Sequence, residues 1–210
     1  MKMELLKGIF ELTSKRSVLR QTKFQRLNRE RLGEAEVRNV MVKILEQKGV
    51  YYGIEAATKE KQAKEGNIIK RSALVDLVIY ERKEDERPEI FVEFKRGPVS
   101  IDKIEKDLLK MMREPDYLKG ACFFHILPKV RNKSERSLAR ARNQAIKKYY
   151  QAYCKIDKTA CIQRWFILFI MDTTSRKYYL CEKENICNIE KLDNGKWEDI
   201  KYEKHLLEQL

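Results

Sequence analysis

No apolar run in the 210 residues approaches the length of about 20 that a membrane-crossing helix needs, so no membrane partner is expected. The opening MKMELLKGIF has no long apolar segment and no small-residue cleavage site, so no secretion signal is read. Histidine is nearly absent, at two residues. The five cysteines (Cys122, Cys154, Cys161, Cys181, Cys187) show no CxxC spacing, which argues against a zinc site. Reduced thiols in the cytoplasm are the expectation. There is no Walker A loop, no GxGxxG after a strand and no GxSxG elbow, which argues against P-loop, dinucleotide and α/β-hydrolase chemistry. Glycine and proline are few, 8 and 4, and no internal repeat or low-complexity linker divides the chain.

What is present is a foldable and basic chain. Hydrophobic residues make up 43% and aromatics 10%, enough for a proper core. Lys and Arg number 45 against 32 Asp and Glu, a net charge of +13. That balance favours a polyanionic partner, nucleic acid first. The competing reading is a surface solvated by abundant Lys and Glu, with no particular partner.

Residues 2–12 carry a short amphipathic helix pattern, and 15–31 form a second, strongly basic segment. Val37, Val40, Met41, Ile44 and Leu45 make a helical stripe within 33–48, with Gly49 placed as its C-terminal cap. Residues 50–57 read as a strand, and the polar stretch 58–67 as a loop or bulge. SALVDLVIY (72–80) and EIFVEFK (89–95) form a hairpin around the charged turn ERKEDERP. Ser100 caps a helix with Ile101, Ile104, Leu108, Met111 and Met112 as its stripe. Strands follow at 120–127 and 161–172, separated by a basic helix at 134–153. KYYLCE and GKWEDIKY suggest a small β extension. The expected class is α/β, with an α-β-β-β-α-β core and a mixed sheet flanked by helices. The expected division is a basic helical N-terminal extension at 1–32, a core at 33–172 and a C-terminal extension at 173–210, packed on the same domain.

Asp76 is the only charge in ALVDLVIY, and Glu93 and Lys95 share one face of the return strand. A turn centred between Glu84 and Asp85 sets Asp76 directly opposite Glu93; a one-residue slip would move one carboxylate to the other face. Adjacent carboxylates repel unless a cation or proton intervenes, and a hard divalent ion satisfies both. Lys95 could then hold the attacking water or stabilise charge on phosphorus. The bland alternative is an ordinary ion pair across strands.

Asp76, the tripeptide Glu93-Phe94-Lys95 and the element order over 33–127 resemble the PD-(D/E)XK nuclease superfamily, with its restriction-endonuclease-like fold. The resemblance implies a Mg²⁺-dependent endonuclease, with Mn²⁺ as substitute. Asp76, Glu93 and the Phe94 carbonyl would be metal ligands, and Lys95 would assist water attack. It also implies an acidic residue from the first core helix, either Glu34 or Glu36; Glu36 is preferred because it stands four residues before Val40, at the edge of the stripe. Val75 stands where the Pro of the first half-motif would be.

Arg136, Arg140, Arg142, Lys147 and Lys148 on the basic helix are expected to contact a nucleic-acid backbone, DNA in preference to RNA. Tyr149, Tyr150 and Tyr153 could stack on bases but fit core spacing better. His125 reads as a core histidine, and Met111 and Met112 as core. A homodimer is compatible with double-strand cutting. Two alternatives stay open: an inactive nucleic-acid-binding module on the same fold, and an interaction protein with a generally basic surface.

Overall fold

The structure, a computed structural model, describes residues 3–25, 32–62, 71–80, 88–114, 118–128, 134–159 and 161–200. The first helix, α1 (Met3–Gln25), merges the two helical segments expected before and after Thr13 and Ser14. Hydroxyls at these positions can compete with the helical backbone. Here they are absorbed by it: Thr13 Oγ1 donates to the Ile9 carbonyl and Ser14 Oγ to that of Glu11, both at 2.7 Å. Residues 26–31 of the expected basic segment lie outside the described residues.

Helix α2 (Glu34–Gln47) buries the expected stripe and is followed by Gly49 at φ +64°, a conformation that favours glycine. Strand β1 (Tyr51–Gln62) runs beyond the expected boundary, with a register shift between Ala57 and Lys61. A bulge therefore carries residues 58–62 of the polar stretch into the strand, and 63–67 lie outside the described residues. Strands β2 (Arg71–Tyr80) and β3 (Ile90–Arg96) follow; turn residues 81–87 lie outside the described residues. Helix α3 (Ile101–Arg113) starts at Ser100, whose hydroxyl accepts the Lys103 N–H. Next come β4 (Gly120–Leu127), α4 (Glu135–Lys155), β5 (Trp165–Asp172), β6 (Lys177–Lys183) and β7 (Lys196–Asp199). The tail from 201, with His205, lies outside the described residues.

The seven strands form one mixed sheet in sequential order. Strands β3, β4 and β5 are parallel, and the remaining neighbours are antiparallel. The crossovers β3-α3-β4 and β4-α4-β5 advance the same way along the sheet. Crossovers of constant hand then place both helices on one face. Accordingly α3 and α4 pack together over Phe123, Phe166 and Leu168. On the opposite face α1 and α2 cover Phe94, Phe124 and Phe169. Phe124 and Phe169 stack at 4.8 Å between ring centres, and Phe10 of α1 meets both edge-on. Such contacts add about 0.5–1.5 kcal/mol each to simple burial. Because Leu6, Ile9, Phe10 and Val18 are buried here, α1 forms part of this layer, in the segment expected as an extension.

The expectation of reduced cysteines is corrected for one pair. Cys161 and Cys187 form a disulfide, with Cα atoms 5.7 Å apart, that ties the segment before β5 to the one after β6. Neither belongs to a spacing motif; only the fold brings them together. Cys122 and Cys181 are buried thiols, and Cys154 is exposed. Among the described residues no helix is long and apolar enough to cross a membrane.

Candidate active site at the β2–β3 fork

Strands β2 and β3 pair through Leu77–Val92, Val78–Phe91 and Ile79–Ile90. Continued by one step, this register sets Asp76 beside Glu93, as a turn centred between Glu84 and Asp85 requires. There the ladder stops. Strand β2 continues alongside β1, with Val75 opposite Ala56 and Leu74 opposite Ala57. The sheet therefore forks, and the edge of β3 beyond Val92 loses its partner strand.

Carboxylates take over that edge. Asp76 Oδ2 accepts the Phe94 backbone N–H at 2.7 Å, and the Arg96 N–H serves the carboxylate of Glu34 at the start of α2. In a strand the N–H and C=O of one residue leave on the same edge. The Phe94 carbonyl therefore faces the fork between these two acids, while its ring packs on the opposite face at 5.6 Å from Phe124.

Helix α3 closes the fork with a second set of charges. Glu93 is 3% exposed. Its Oε1 accepts from Lys110, and its Oε2 lies 3.2 Å from Lys95 Nζ. Lys95 also reaches Asp107 at 2.8 Å. The Lys110 ammonium is buried against three oxygens: Glu93 Oε1, the Leu74 carbonyl at 2.8 Å and Asp107 Oδ1 at 3.4 Å. Three carboxylates (Asp76, Glu93, Asp107) thus face two ammonium groups. Burial, with the negative charge of Asp107, pushes the Glu93 carboxyl up to about 7 despite both lysines. Burial alone would lower the Lys95 pKa, but Glu93 and Asp107 outweigh it and the pKa is raised. Lys95 is therefore a firm cation in this state.

Sequence reasoning missed Asp107 and Lys110. A signal existed: Asp107 stands three residues after Ile104 and four before Met111, inside the apolar stripe of α3. Between the two candidates on α2, the structure brings Glu34 to the fork. Its side chain is exposed, yet partial desolvation at the fork raises its carboxyl pKa, partly offset by Lys95, and Asp76 raises it further. Glu36 instead folds back over Gly33, filling the space a Cβ there would need. As the third residue of its helix it is placed to cover the helix start, in the manner of a capping box.

On α4, Arg136, Arg140 and Lys147 are exposed and fall within about 40° of helical arc. Arg142 departs from the expectation. It is 8% exposed, bonded to Asp172, Ser175 and Glu135, and stacked 5.2 Å from the Trp197 ring centre, so it does not face solvent. Lys148 is half-buried and donates to the Val99 carbonyl at 2.9 Å. Tyr149 and Tyr153 are buried, in keeping with core spacing.

Two carboxylates and a backbone carbonyl are hard oxygen donors, which suit Mg²⁺ or Mn²⁺ better than zinc. The excess of negative charge at the fork also suits an added cation. Against this, Lys110 already engages Glu93, and among the described residues no group of three or more His, Cys, Asp or Glu is gathered to hold an ion. The donor chemistry fits with Asp76 and Glu93 as the acidic ligands and the Phe94 carbonyl as a third oxygen. No family model matches the chain, and no match was found among curated proteins or solved structures.

Proposed function

We propose that the protein is a divalent-metal-dependent nuclease of the restriction-endonuclease-like fold, acting on DNA in preference to RNA. The observation that carries this reading is the convergence of Asp76, Glu93 and Lys95 on one sheet face at the fork, with the Phe94 carbonyl aimed into it. The order α2-β1-β2-β3-α3-β4 agrees with the resemblance read from the sequence.

Asp76 and Glu93 would hold Mg²⁺, with the Phe94 carbonyl beside them. The ion would supply Lewis acidity toward the phosphate and a more acidic bound water. Lys95, held protonated by Glu93 and Asp107, would orient the attacking water and offset charge on the phosphate by hydrogen-bond donation. That state suits an electrostatic role and not that of a general base. Glu34, with its raised pKa at the same edge, is the acid best placed to accept a proton. The exposed stripe of Arg136, Arg140 and Lys147 would track the phosphate backbone.

The test is incubation with labelled DNA and RNA in Mg²⁺, Mn²⁺ or EDTA. Metal-dependent cleavage is expected, abolished by Asp76→Asn and by Lys95→Ala. Asparagine keeps an oxygen for the Phe94 N–H, so loss of activity reports the charge and not the fold. A second reading, nucleic-acid binding without cleavage, is favoured by the grip of Lys110 on Glu93. Salt-sensitive binding with no cleavage under any condition would establish it.

A further inference from the structure

An ammonium group has three N–H donors, and the one on Lys110 has three oxygens about it. They are Glu93 Oε1, the Leu74 carbonyl at 2.8 Å and Asp107 Oδ1 at 3.4 Å. The fork therefore uses the whole hydrogen-bonding capacity of this side chain. Leu74 lies on β2 beyond the last pair with β3, so Lys110 bridges the two strands where their ladder has ended.

The second Glu93 oxygen, Oε2, is 3.2 Å from Lys95 Nζ. Both oxygens of this carboxylate thus touch an ammonium. A divalent ion brought to Glu93 meets positive charge at each of them, in a buried place where water screens little.

The two lysines differ in what else holds them. Lys95 is closer to Asp107, at 2.8 Å, than to Glu93, so its charge stays matched when Glu93 turns to an ion. Its side chain is also 16% exposed, against 4% for Lys110. Lys110 has only the longer contact with Asp107, which it shares with Lys95. Its charge therefore depends on Glu93. Asp107 stands one turn earlier on the same helix and stays within reach of Lys110 if Glu93 is withdrawn.

We propose that Lys110 is an internal competitor of the metal ion: its ammonium holds Glu93 Oε1 in the metal-free protein and yields that oxygen when a divalent cation enters the fork. Lys110 thereby sets how tightly the fork binds metal. It is a positioning residue for Glu93 and takes no part in the chemistry. The ion's site rests on the nuclease reading of Asp76 and Glu93; the hold of Lys110 on Glu93 does not.

The experiment titrates the full chain with Mn²⁺, without nucleic acid, and reads the free ion by electron paramagnetic resonance. Wild type is compared with Lys110→Gln, which keeps an N–H for the Leu74 carbonyl and removes the charge. Lys110→Gln is expected to bind Mn²⁺ at least tenfold more tightly, and adding Asp76→Asn should abolish the gain. Lys95→Gln should gain less, because Asp107 is the nearer partner of Lys95. Equal affinity in wild type and Lys110→Gln, no Mn²⁺ binding by either, or an equal gain in Lys95→Gln overturns the proposal. Metal-dependent cleavage by the wild type would then leave the nuclease standing without it. If Lys110→Gln does not fold in EDTA, saturating Mn²⁺ is expected to restore its circular dichroism spectrum, and a chain that stays unfolded also overturns the proposal. Tighter Mn²⁺ binding by Lys110→Gln in a protein that cuts neither DNA nor RNA supports the competitor and refutes the nuclease.

Discussion

Replacing Lys110 with methionine should destabilise the protein strongly and in a pH-dependent way. The ammonium is 4% exposed and holds Glu93, Asp107 and the Leu74 carbonyl together. Breaking one side of a buried ion pair typically costs about 3–5 kcal/mol, because the remaining charge stays buried. The sign with pH follows from Glu93, whose folded pKa of about 7 lies above its ordinary 4.5. The fold therefore binds that proton more tightly than the unfolded chain does. Stability is lost as pH rises from 4.5 through 7. Lys110 pulls the Glu93 pKa down, so its removal raises the folded value and widens the window upward. Urea unfolding followed by circular dichroism in EDTA should show a large loss at about pH 8 and a much smaller one at about pH 5. Adding Glu93→Gln to Lys110→Met should recover much of the loss at the higher pH. A loss below about 1 kcal/mol, equal at both pH values, would refute the idea of a tightly coupled buried cluster.

The wild-type pH profile should be flatter than either titration alone. His125, held at about 4 against an ordinary 6.5, loses stability as pH falls from 6.5 through 4, opposing Glu93. Glu93→Gln alone should therefore unmask a rise of up to about 3 kcal/mol between those pH values, and a flat Glu93→Gln profile would count against both assignments. Replacing Arg136, Arg140 and Lys147 with alanine together should reduce the slope of log affinity against log salt by about 2–3, measured by fluorescence anisotropy on labelled DNA. Arg142→Ala should instead lower thermal stability and leave that slope unchanged. Reduction of Cys161–Cys187, or Cys161→Ser, should cost about 3–4 kcal/mol by the chain-entropy estimate for its 26-residue separation, read from unfolding with and without reductant.

Much of the sheet was legible because its strands are continuous apolar runs bounded by charge. In ALVDLVIY and EIFVEFK alternation fixed which face each charge takes, while the pairing of Asp76 with Glu93 came from placing the turn centre between Glu84 and Asp85. The boundary between 12 and 15 misled because serine and threonine suggest a helix break, while their hydroxyl bonds to Ile9 and Glu11 are invisible in sequence. Asp107 and Lys110 were hidden for a related reason. A charge within a helical stripe is ambiguous until the opposing strand is known, and here the strand brings Glu93. Choosing between Glu34 and Glu36 needed the α2 entry angle, which periodicity does not contain. Arg142 looked like its basic neighbours, but Asp172 on β5 draws it inward.

The fork has a consequence for measurement. The Phe94 amide is held by one side-chain carboxylate where a ladder would have used a backbone carbonyl. Its hydrogen-exchange rate should therefore track the charge on Asp76, whatever happens to the rest of the sheet. Any cation that competes for that carboxylate would loosen the bond and speed exchange at Phe94. Amides in the intact ladder from Ile90 to Val92 would keep their protection. One backbone proton thus becomes a local gauge of occupancy, usable with no substrate turned over.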